Sequence, residues 1–242
     1  MSRRRFLSLA PKLAALSLAP ALIRSAIAQE GVSAKTVTIG CSAALSGPLG
    51  GFGSAIKLGA DAAMAQINAK GGVQGRQIQL QMMDDGYVAQ RTADNVKKMI
   101  GDGSVFALMS CMGTANNAAI VPMVEESSLP YLAPLTGASS LRRAGTRNVF
   151  HVRASYTDET QRLVQKLLSM GIKDLAIVHL DNSFGREVLA DANAELRAKG
   201  AKPFVHAAAL ATDGKNLSEV VSQVTSPIAA ASFASIGRRC CM

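Results

Sequence analysis

Strand-like segments alternate with helix-like segments along this chain from Val37 onwards. Each strand-like segment is short, and turn residues separate it from the helix-like stretch that follows. Alternation of this kind predicts an α/β fold, with parallel sheets that carry helices on both faces. The strand candidates are residues 37–43, 77–83, 105–110, 129–132, 149–152, 175–180 and 204–209.

A turn and a glycine-rich loop follow the first strand candidate. The turn is Ser46-Gly47-Pro48, and Gly50, Gly51 and Gly53 come next, before a helical pattern begins. In open α/β sheets, loops at the carboxyl ends of strands form the usual site for small ligands. We therefore expect a ligand loop here, although the same residues are also compatible with a simple turn.

Three helices have clear apolar faces. Residues 53–69 carry apolar side chains at steps of three and four, and Gly71-Gly72 is expected to end that helix. Residues 158–169 form a second helix, for which Asp158 is a suitable N-cap. Residues 184–199 form a third helix, which Gly200 closes.

The chain divides into two series of strand–helix units. The first series covers residues 29–148 and ends in the polar stretch 142–148, and the second covers residues 149–226. We therefore predict two doubly wound parallel-sheet lobes, of which the second is incomplete.

The first 28 residues have the pattern of an export signal. Three arginines precede an apolar stretch of 11 residues, and Ala26-Ile27-Ala28 fits a cleavage site after Ala28. Ser2-Arg3-Arg4-Arg5-Phe6-Leu7 matches the twin-arginine pattern, and an ordinary Sec signal is the alternative. Either signal predicts a periplasmic protein.

The last residues depart from the strand–helix pattern. Residues 227–242 contain an Ala/Ser-rich run and end in Gly-Arg-Arg-Cys-Cys-Met, without periodicity or a helix cap. We expect that the chain is truncated or frame-shifted near Pro227, and a natural short tail is the alternative. If the chain is complete as it stands, weak or absent ligand binding is expected.

Charge and composition argue against nucleic-acid binding. Five of the 26 basic residues lie in the leader, which has no acid, so the remainder carries 21 basic against 17 acidic residues, a net charge of +4. Basic residues occur as pairs rather than as a stripe, and the chain has three tyrosines and no tryptophan for base stacking.

The cysteines and histidines do not have metal-ligand spacing. His151, His179 and His206 are far apart in the sequence, each in or beside a strand candidate. Cys41 and Cys111 would be able to pair in an oxidising compartment if adjacent strands bring them together. The pair Cys240-Cys241 lies in the irregular tail. We therefore expect neither a metal site nor a cofactor.

An enzyme is the main alternative class of function. The run from Gly51 to Ile56 resembles a dinucleotide-binding fingerprint, but Ile56 stands where that fingerprint needs glycine or alanine. The sequence contains neither Gly-x-Ser-x-Gly nor a Walker A motif. A nicotinamide-dependent oxidoreductase of Rossmann type is therefore the alternative function, and we expect a binding protein rather than an enzyme.

Four segments, in their order and spacing, carry a family resemblance. They are residues 39–48, the run Asn68-Ala69-Lys70-Gly71-Gly72-Val73-Gln74-Gly75, the pair Asp84-Asp85, and Asp181-Asn182-Ser183-Phe184-Gly185. From about residue 35 to 226, the chain resembles the Leu/Ile/Val-binding protein family, the type I periplasmic solute-binding proteins of branched-chain amino-acid ABC transporters.

The resemblance implies a monomeric receptor that binds an amino acid or a related small carboxylate or amide between two lobes. The implied partners are the membrane subunits of an ABC permease, and a non-functional truncated receptor is an alternative. The implied ligand-binding residues are Ser46, Phe52, Asp85, Thr114, Ala115, Leu135, Thr136, Gly137, Tyr156, Asp158 and Phe184.

The resemblance also assigns roles to these residues. The loops at Thr114 and Thr136 would hold the ligand carboxylate, and Phe52 would lie near the ligand side chain. Tyr156, Asp158 and Phe184 would close over the ligand from the second lobe. Phe184 stands where the family often has tyrosine, so a phenolic hydroxyl is missing there. The family's acidic partner for the ligand ammonium comes from a later segment that this sequence lacks.

Each assignment has a structural alternative. Thr114 is also suited to a helix N-cap, and the loop at Thr136 to a turn. Asp85, with Asp84, would be able to organise a loop through local amides. Phe52 and Tyr156 are also suited to packing.

Overall fold

The computed structural model describes residues 29–143 and 146–225. The predicted export signal and cleavage site lie outside these residues, and so does the irregular tail with Cys240 and Cys241. Within the described part, no helix is both long enough and apolar enough to cross a membrane.

Five parallel strands form the first sheet. They are β1 (Thr36–Ala43), β2 (Gln77–Asp84), β3 (Ala107–Met109), β4 (Tyr131–Leu132) and β5 (Val149–Phe150), in the spatial order β2-β1-β3-β4-β5. The longest pairing joins β1 to β2 over eight residues, from Thr36 opposite Gln77 to Ala43 opposite Asp84. The order places the switch of connection direction at β1, beside the predicted ligand loop.

Helices cover both faces of this sheet. Helices α2 (Ala89–Gly101) and α3 (Thr114–Ser127) pack on one face, where Met99, Leu108 and Ile120 are completely buried. Helix α1 (Gly50–Ala69) packs on the other face, where Ile56 lies against the cluster of Cys41, Ala43 and Met112. The predicted parallel α/β class is therefore confirmed.

Strand β5 joins the first sheet, although we expected it to begin the second series. Val149 pairs with Tyr131, and Phe150 pairs with Leu132 of β4. Val149 is also buried in the core of the first sheet. The polar stretch lies in the connection between β4 and β5, where a short 3₁₀ turn at Ser139–Leu141 precedes it. The second sheet therefore begins further along the chain than residue 149. The boundary between the lobes at residue 149 stays a prediction.

The second sheet has two parallel strands in the described residues. Strands β6 (Ala176–Leu180) and β7 (His206–Leu210) pair over five residues. Helices α4 (Tyr156–Ser169) and α5 (Ser183–Ala198) pack on each other around Val164 and Leu196, and α6 (Leu217–Val224) contacts β7. His179 and His206 lie on these strands, as expected for histidines in or beside strands.

The start of α4 corrects the predicted cap. The N-cap is Ser155, whose hydroxyl accepts a hydrogen bond from the backbone N–H of Asp158 at 3.1 Å. The Asp158 carboxylate accepts one in return from the Ser155 hydroxyl at 2.6 Å and from its N–H at 3.3 Å. Asp158 is therefore the third residue of the helix in a reciprocal capping box, where its negative charge also suits the helix dipole.

The glycines after the Ser-Gly-Pro turn belong to the first turns of α1 and not to a loop. A Cβ atom on Gly53 would lie 1.9 Å from the carbonyl oxygen of Ala44, just past the end of β1. Only glycine allows the helix to start this close to the strand. The predicted ligand loop therefore shortens to residues 44–49.

Candidate functional site

The Asp84 carboxylate holds the loop of residues 44–49 in place. Asp84 Oδ1 accepts hydrogen bonds from the backbone N–H groups of Leu45 at 2.8 Å and Ser46 at 3.2 Å. The Ser46 hydroxyl donates to Oδ2 at 2.5 Å. The hydrogen bond from the Ser46 hydroxyl is the main reason why the pKa of Asp84 lies well below its ordinary value. Hydrogen bonds from backbone N–H groups lower this pKa further. Ser46 is a predicted ligand residue, and in this structure its hydroxyl binds Asp84 and helps to fix the conformation of the loop.

The neighbouring carboxylate of Asp85 is completely buried in an internal network. Its Oδ2 accepts hydrogen bonds from the hydroxyls of Ser42 at 2.8 Å and Thr92 at 2.9 Å. Its Oδ1 accepts one from the backbone N–H of Tyr87 at 2.8 Å. Asp85 therefore ties the end of β1 to the start of α2.

Four predicted site residues form one buried group. The hydroxyl oxygens of Thr114 and Thr136 lie 2.9 Å apart, and both residues are almost completely buried. The backbone N–H of Tyr156 donates to the carbonyl of Gly137 at 2.8 Å. A Cβ atom on Gly137 would lie 2.5 Å from Cδ1 of Tyr156, so glycine at this position makes room for the ring. Thr114 is the first residue of α3, and the residue before it, Gly113, occupies the cap position.

An aromatic pair lies beside this group. The ring of Tyr156 lies 4.9 Å from that of Phe184, centroid to centroid, at an angle of 56°. The guanidinium carbon of Arg153 lies 5.2 Å from the centroid of the Tyr156 ring. Tyr156 at the start of α4 thus contacts Gly137 of the first-sheet loops and Phe184 at the start of α5. The sequence predicted both aromatic residues on the second-lobe side, and the structure brings them together.

The other predicted site residues are more dispersed. Leu135 is half-buried, and its backbone N–H donates to the carbonyl of Cys111 at 3.0 Å. Phe52 has 60 % of its surface exposed on the first turn of α1, so it is not a core residue. The carboxylate of Asp158 is engaged in the capping box described above.

A cavity of about 410 Å³ separates the first-sheet loops from the second-sheet loops. Ala115 is the predicted site residue that lines it. Its other lining residues come from the loop before α1, the loop after β2, the start of α3, the start of α5 and the loop after β7: Pro48, Leu49, Gly86, Tyr87, Val88, Ala89, Asn116, Asn182, Ser183, Thr212 and Asp213.

Two side chains span this cavity. The hydroxyl of Tyr87, in the loop after β2, interacts with the side chain of Asn182, the N-cap of α5. Burial is the main reason why the pKa of Tyr87 is raised. Sequence analysis missed Tyr87 and Asn182 as cavity residues. Tyr87 lies three residues after β2 and Asn182 two residues after β6, and this position in the loops after two strands is the signal that would have identified them.

The cavity offers neutral hydrogen-bonding groups among apolar walls. The Ser183 hydroxyl is buried and has no hydrogen-bond partner within the described residues. Ser183 is also the first residue of α5, where backbone N–H groups have no acceptor within the helix. Asp213 is the acidic residue of the lining, and its carboxylate contacts Lys215 Nζ at 2.6 Å. Such a lining can hold a small molecule that has both polar and apolar parts.

The sequence matches the family model described as "Periplasmic binding protein" over residues 36–235. It is 27 % identical over 194 residues to the Leu/Ile/Val-binding protein homolog 3 of Brucella melitensis, covering 78 % of this chain and 51 % of that protein. It is 29 % identical over 196 residues to the Leu/Ile/Val-binding protein BraC3 of Rhizobium johnstonii, covering 78 % of this chain and 52 % of that protein.

The fold agrees with these matches. A substrate-binding periplasmic protein from Ralstonia solanacearum superposes with a TM-score of 0.73 and 26 % identity, over 78 % of this chain and 54 % of that one. The chain spans about half the length of the curated relatives it matches. The family model alone covers well over half of the 242 residues. From its fold and its sequence, the chain belongs to the periplasmic binding protein family.

Proposed function

We propose that this chain acts as the solute receptor of an ABC importer, and that it binds an amino acid or a related small carboxylate or amide between its two lobes. The single observation that carries this proposal is the cavity of about 410 Å³, lined from both sheets. Its volume lies within the range of small-molecule sites. The relatives are named as binding proteins for leucine, isoleucine and valine, which supports the amino-acid class.

The proposed ligand-binding residues remain the eleven predicted from the sequence. We propose that the loops at Thr114 and Thr136 supply donors for the ligand carboxylate and that Tyr156 and Phe184 contact its body. Because Tyr156 packs on Gly137, a ligand that reaches this loop requires the Tyr156 ring to swing away as the lobes separate. Opening and closing of two lobes about a hinge is a common form of ligand capture.

The remaining parts of the proposal concern location and partners. Proteins of this family are periplasmic, and we propose that residues 1–28 direct the export of this chain. We further propose that a receptor monomer delivers its ligand to the membrane subunits of an ABC permease.

Thermal stabilisation by candidate ligands tests the proposal. The chain would be heated with leucine, phenylalanine, an aliphatic amide or NAD, each at millimolar concentration. We expect an amino acid or the amide to raise the midpoint of unfolding, because a ligand that binds the folded state stabilises it by mass action. Stabilisation by NAD alone would instead favour the oxidoreductase alternative, and no stabilisation by any compound would contradict ligand binding by this chain.

A variant locates the binding. Phe184→Ala removes a ring that contacts Tyr156, whereas Phe150→Ala removes a ring that is 52 % exposed on the edge strand β5. We expect the first variant to lose at least tenfold in affinity for the stabilising ligand and the second to keep it. Isothermal titration calorimetry gives both dissociation constants.

A further inference from the structure

Two thiols meet in the interior of the first sheet. Cys41 lies on β1 and Cys111 lies two residues beyond β3, and both residues are completely buried. The backbone N–H of Ser42 donates to Sγ of Cys111 at 3.4 Å, and Sγ of Cys41 donates to the carbonyl of Ser110 at 3.7 Å. Both cysteines are free thiols in this structure.

An irregularity in the β3 segment brings the two thiols together. The N–H of Phe106 bonds the carbonyl of Thr38 at 2.8 Å, and the N–H of Met112 bonds the carbonyl of Ser42 at 3.2 Å. Between these bonds, β1 advances four residues while the facing segment advances six. Ser110 has a φ of 53°, a left-handed conformation that is uncommon for residues other than glycine. This local turn places Cys111 beside β1 rather than further along the sheet.

The two side chains are within interaction range of each other. A hydrogen bond to Cys111, reinforced by burial, raises the pKa of Cys41 far above its ordinary value. A disulfide requires the sulfur atoms to approach to about 2.05 Å. Each sulfur already lies against the backbone beside the other cysteine, because Cys111 Sγ contacts the N–H of Ser42 and Cys41 Sγ contacts the carbonyl of Ser110. The family is periplasmic, and disulfides form and persist in that compartment.

We propose that Cys41 and Cys111 form an intramolecular disulfide when the chain folds in an oxidising compartment. One cysteine thiolate attacks a disulfide of an oxidant, such as oxidised glutathione or a protein disulfide donor, and releases one donor thiol. The second cysteine then attacks the mixed disulfide and expels the other donor thiol. The protein loses two electrons and two protons, and the donor disulfide becomes two thiols. Because both sulfur atoms are buried in the folded state, the exchange takes place during folding.

The bond would connect β1 to the segment that leads into α3. Cys111 precedes the cavity residues Ala115 and Asn116 by four and five residues, so the cross-link would anchor the segment that leads to them. It would also close a loop of about 70 residues in the unfolded chain, which restricts that ensemble and stabilises the folded state. For a domain of this size, we expect the disulfide to raise the midpoint of thermal unfolding by roughly 10 °C.

Peptide mapping of the full chain tests the proposal directly. The chain would be unfolded and reduced, refolded in a buffer of reduced and oxidised glutathione, alkylated under denaturing conditions and digested with trypsin. Trypsin releases Cys41 in a peptide of residues 36–57 and Cys111 in a peptide of residues 99–142. We expect these peptides to be joined in one species that separates on reduction. We expect the same joined peptides from the double variant Cys240→Ser with Cys241→Ser, because the proposed bond does not involve these two cysteines.

Thermal unfolding supplies the second readout. Refolding with a reductant in place of glutathione should lower the unfolding midpoint of the double variant by roughly 10 °C. When Cys41→Ala is added to the double variant, refolding with a reductant in place of glutathione should leave the unfolding midpoint unchanged. Recovery of Cys41 and Cys111 as alkylated thiols after oxidative refolding would overturn the proposal, and so would linkage of either one to Cys240 or Cys241 in the unmodified chain.

Discussion

At the scale of single residues, Asp84 holds the loop that follows β1. One carboxylate accepts hydrogen bonds from two backbone N–H groups and a hydroxyl of the loop after β1, and from the N–H of Gly86 at 2.9 Å. Charged acceptors make stronger hydrogen bonds than neutral ones, so one residue can set the conformation of the whole loop.

Replacing this carboxylate should loosen the loop. Asp84→Asn removes the charge and one acceptor oxygen, and we expect the free energy of unfolding to fall by about 1–2 kcal/mol. Asp102→Asn is the matched control, because Asp102 contacts the exposed Lys98 on the surface of α2, and no measurable change is expected there. Urea denaturation measures both. Equal stability of the two variants would show that Asp84 does not hold the loop.

His151 is a second residue with a defined electrostatic environment. Its Nε2 lies 3.2 Å from the carbonyl oxygen of Leu141. Burial is the main reason why the pKa of His151 is lowered, and the positive charge of Arg142 lowers it further. Arg142 itself reaches the carbonyls of Arg153 at 2.8 Å and Ala154 at 3.1 Å, in the segment that enters the second sheet.

This environment predicts a pH dependence of stability. A histidine whose pKa is lower in the folded state binds its proton more readily when the chain is unfolded. The free energy of unfolding should therefore fall as the pH drops below about 6.5, the ordinary value. His151→Gln retains a donor for the Leu141 carbonyl but cannot be protonated. We expect denaturation curves from pH 7.5 to 5.0 to show a smaller loss of stability for this variant than for the unmodified chain, and an identical loss would contradict the assignment.

At the scale of elements, both sheets use a glycine to bring a helix against a strand end. The Cβ of an alanine at Gly53 would lie 1.9 Å from the Ala44 carbonyl, and at Gly185 it would lie 1.9 Å from the Leu180 carbonyl. These positions lie near the starts of α1 and α5, which face the cavity from opposite lobes. Close approach of the backbone, rather than phosphate binding, therefore explains glycine at Gly53.

A pair of glycine substitutions tests this packing. Gly53→Ala should push α1 away from β1 and lower the free energy of unfolding by about 2–3 kcal/mol. Gly59→Ala lies on the same helix with open space around it, and should raise the free energy by up to about 1 kcal/mol through better helix propensity. Opposite signs in guanidinium denaturation are the expected outcome, whereas stabilisation by both changes would contradict the close approach.

At the scale of the whole molecule, a few polar contacts join the two lobes. Tyr87 reaches Asn182 across the cavity, and the backbone N–H of Ser139 donates to the Glu187 carboxylate at 2.6 Å. A cavity that intervenes between the described parts of the lobes is consistent with lobes that separate at modest cost in free energy.

Removing one bridging hydroxyl should favour the open form. Tyr87→Phe keeps the ring against Gly113 but loses the contact with Asn182. Loss of about 1 kcal/mol multiplies the ratio of open to closed molecules about fivefold. Small-angle scattering should therefore give a larger radius of gyration. Tyr131→Phe is the matched control, because its hydroxyl bonds Asn117 within the first lobe. This control should lower stability without a change in radius, and equal radii for all three proteins would contradict the bridging role.

Sequence patterns determined the local structure and the family. Apolar periodicity and turn residues act between neighbours in the chain. They were enough to predict strand β1, the glycines at which α1 and α5 end, and the α/β class. The four matching segments identified the family because their order and spacing reflect common ancestry rather than any single contact.

Only the tertiary structure decided which distant residues meet. It placed β5 in the first sheet, buried Thr114 and Thr136 beside Tyr156, and brought Cys111 against Cys41. Each of these results depends on strand pairing or on a register change at a residue such as Ser110. Such long-range backbone pairings leave no periodic trace in the sequence, because the free energy that selects them comes from packing the whole core.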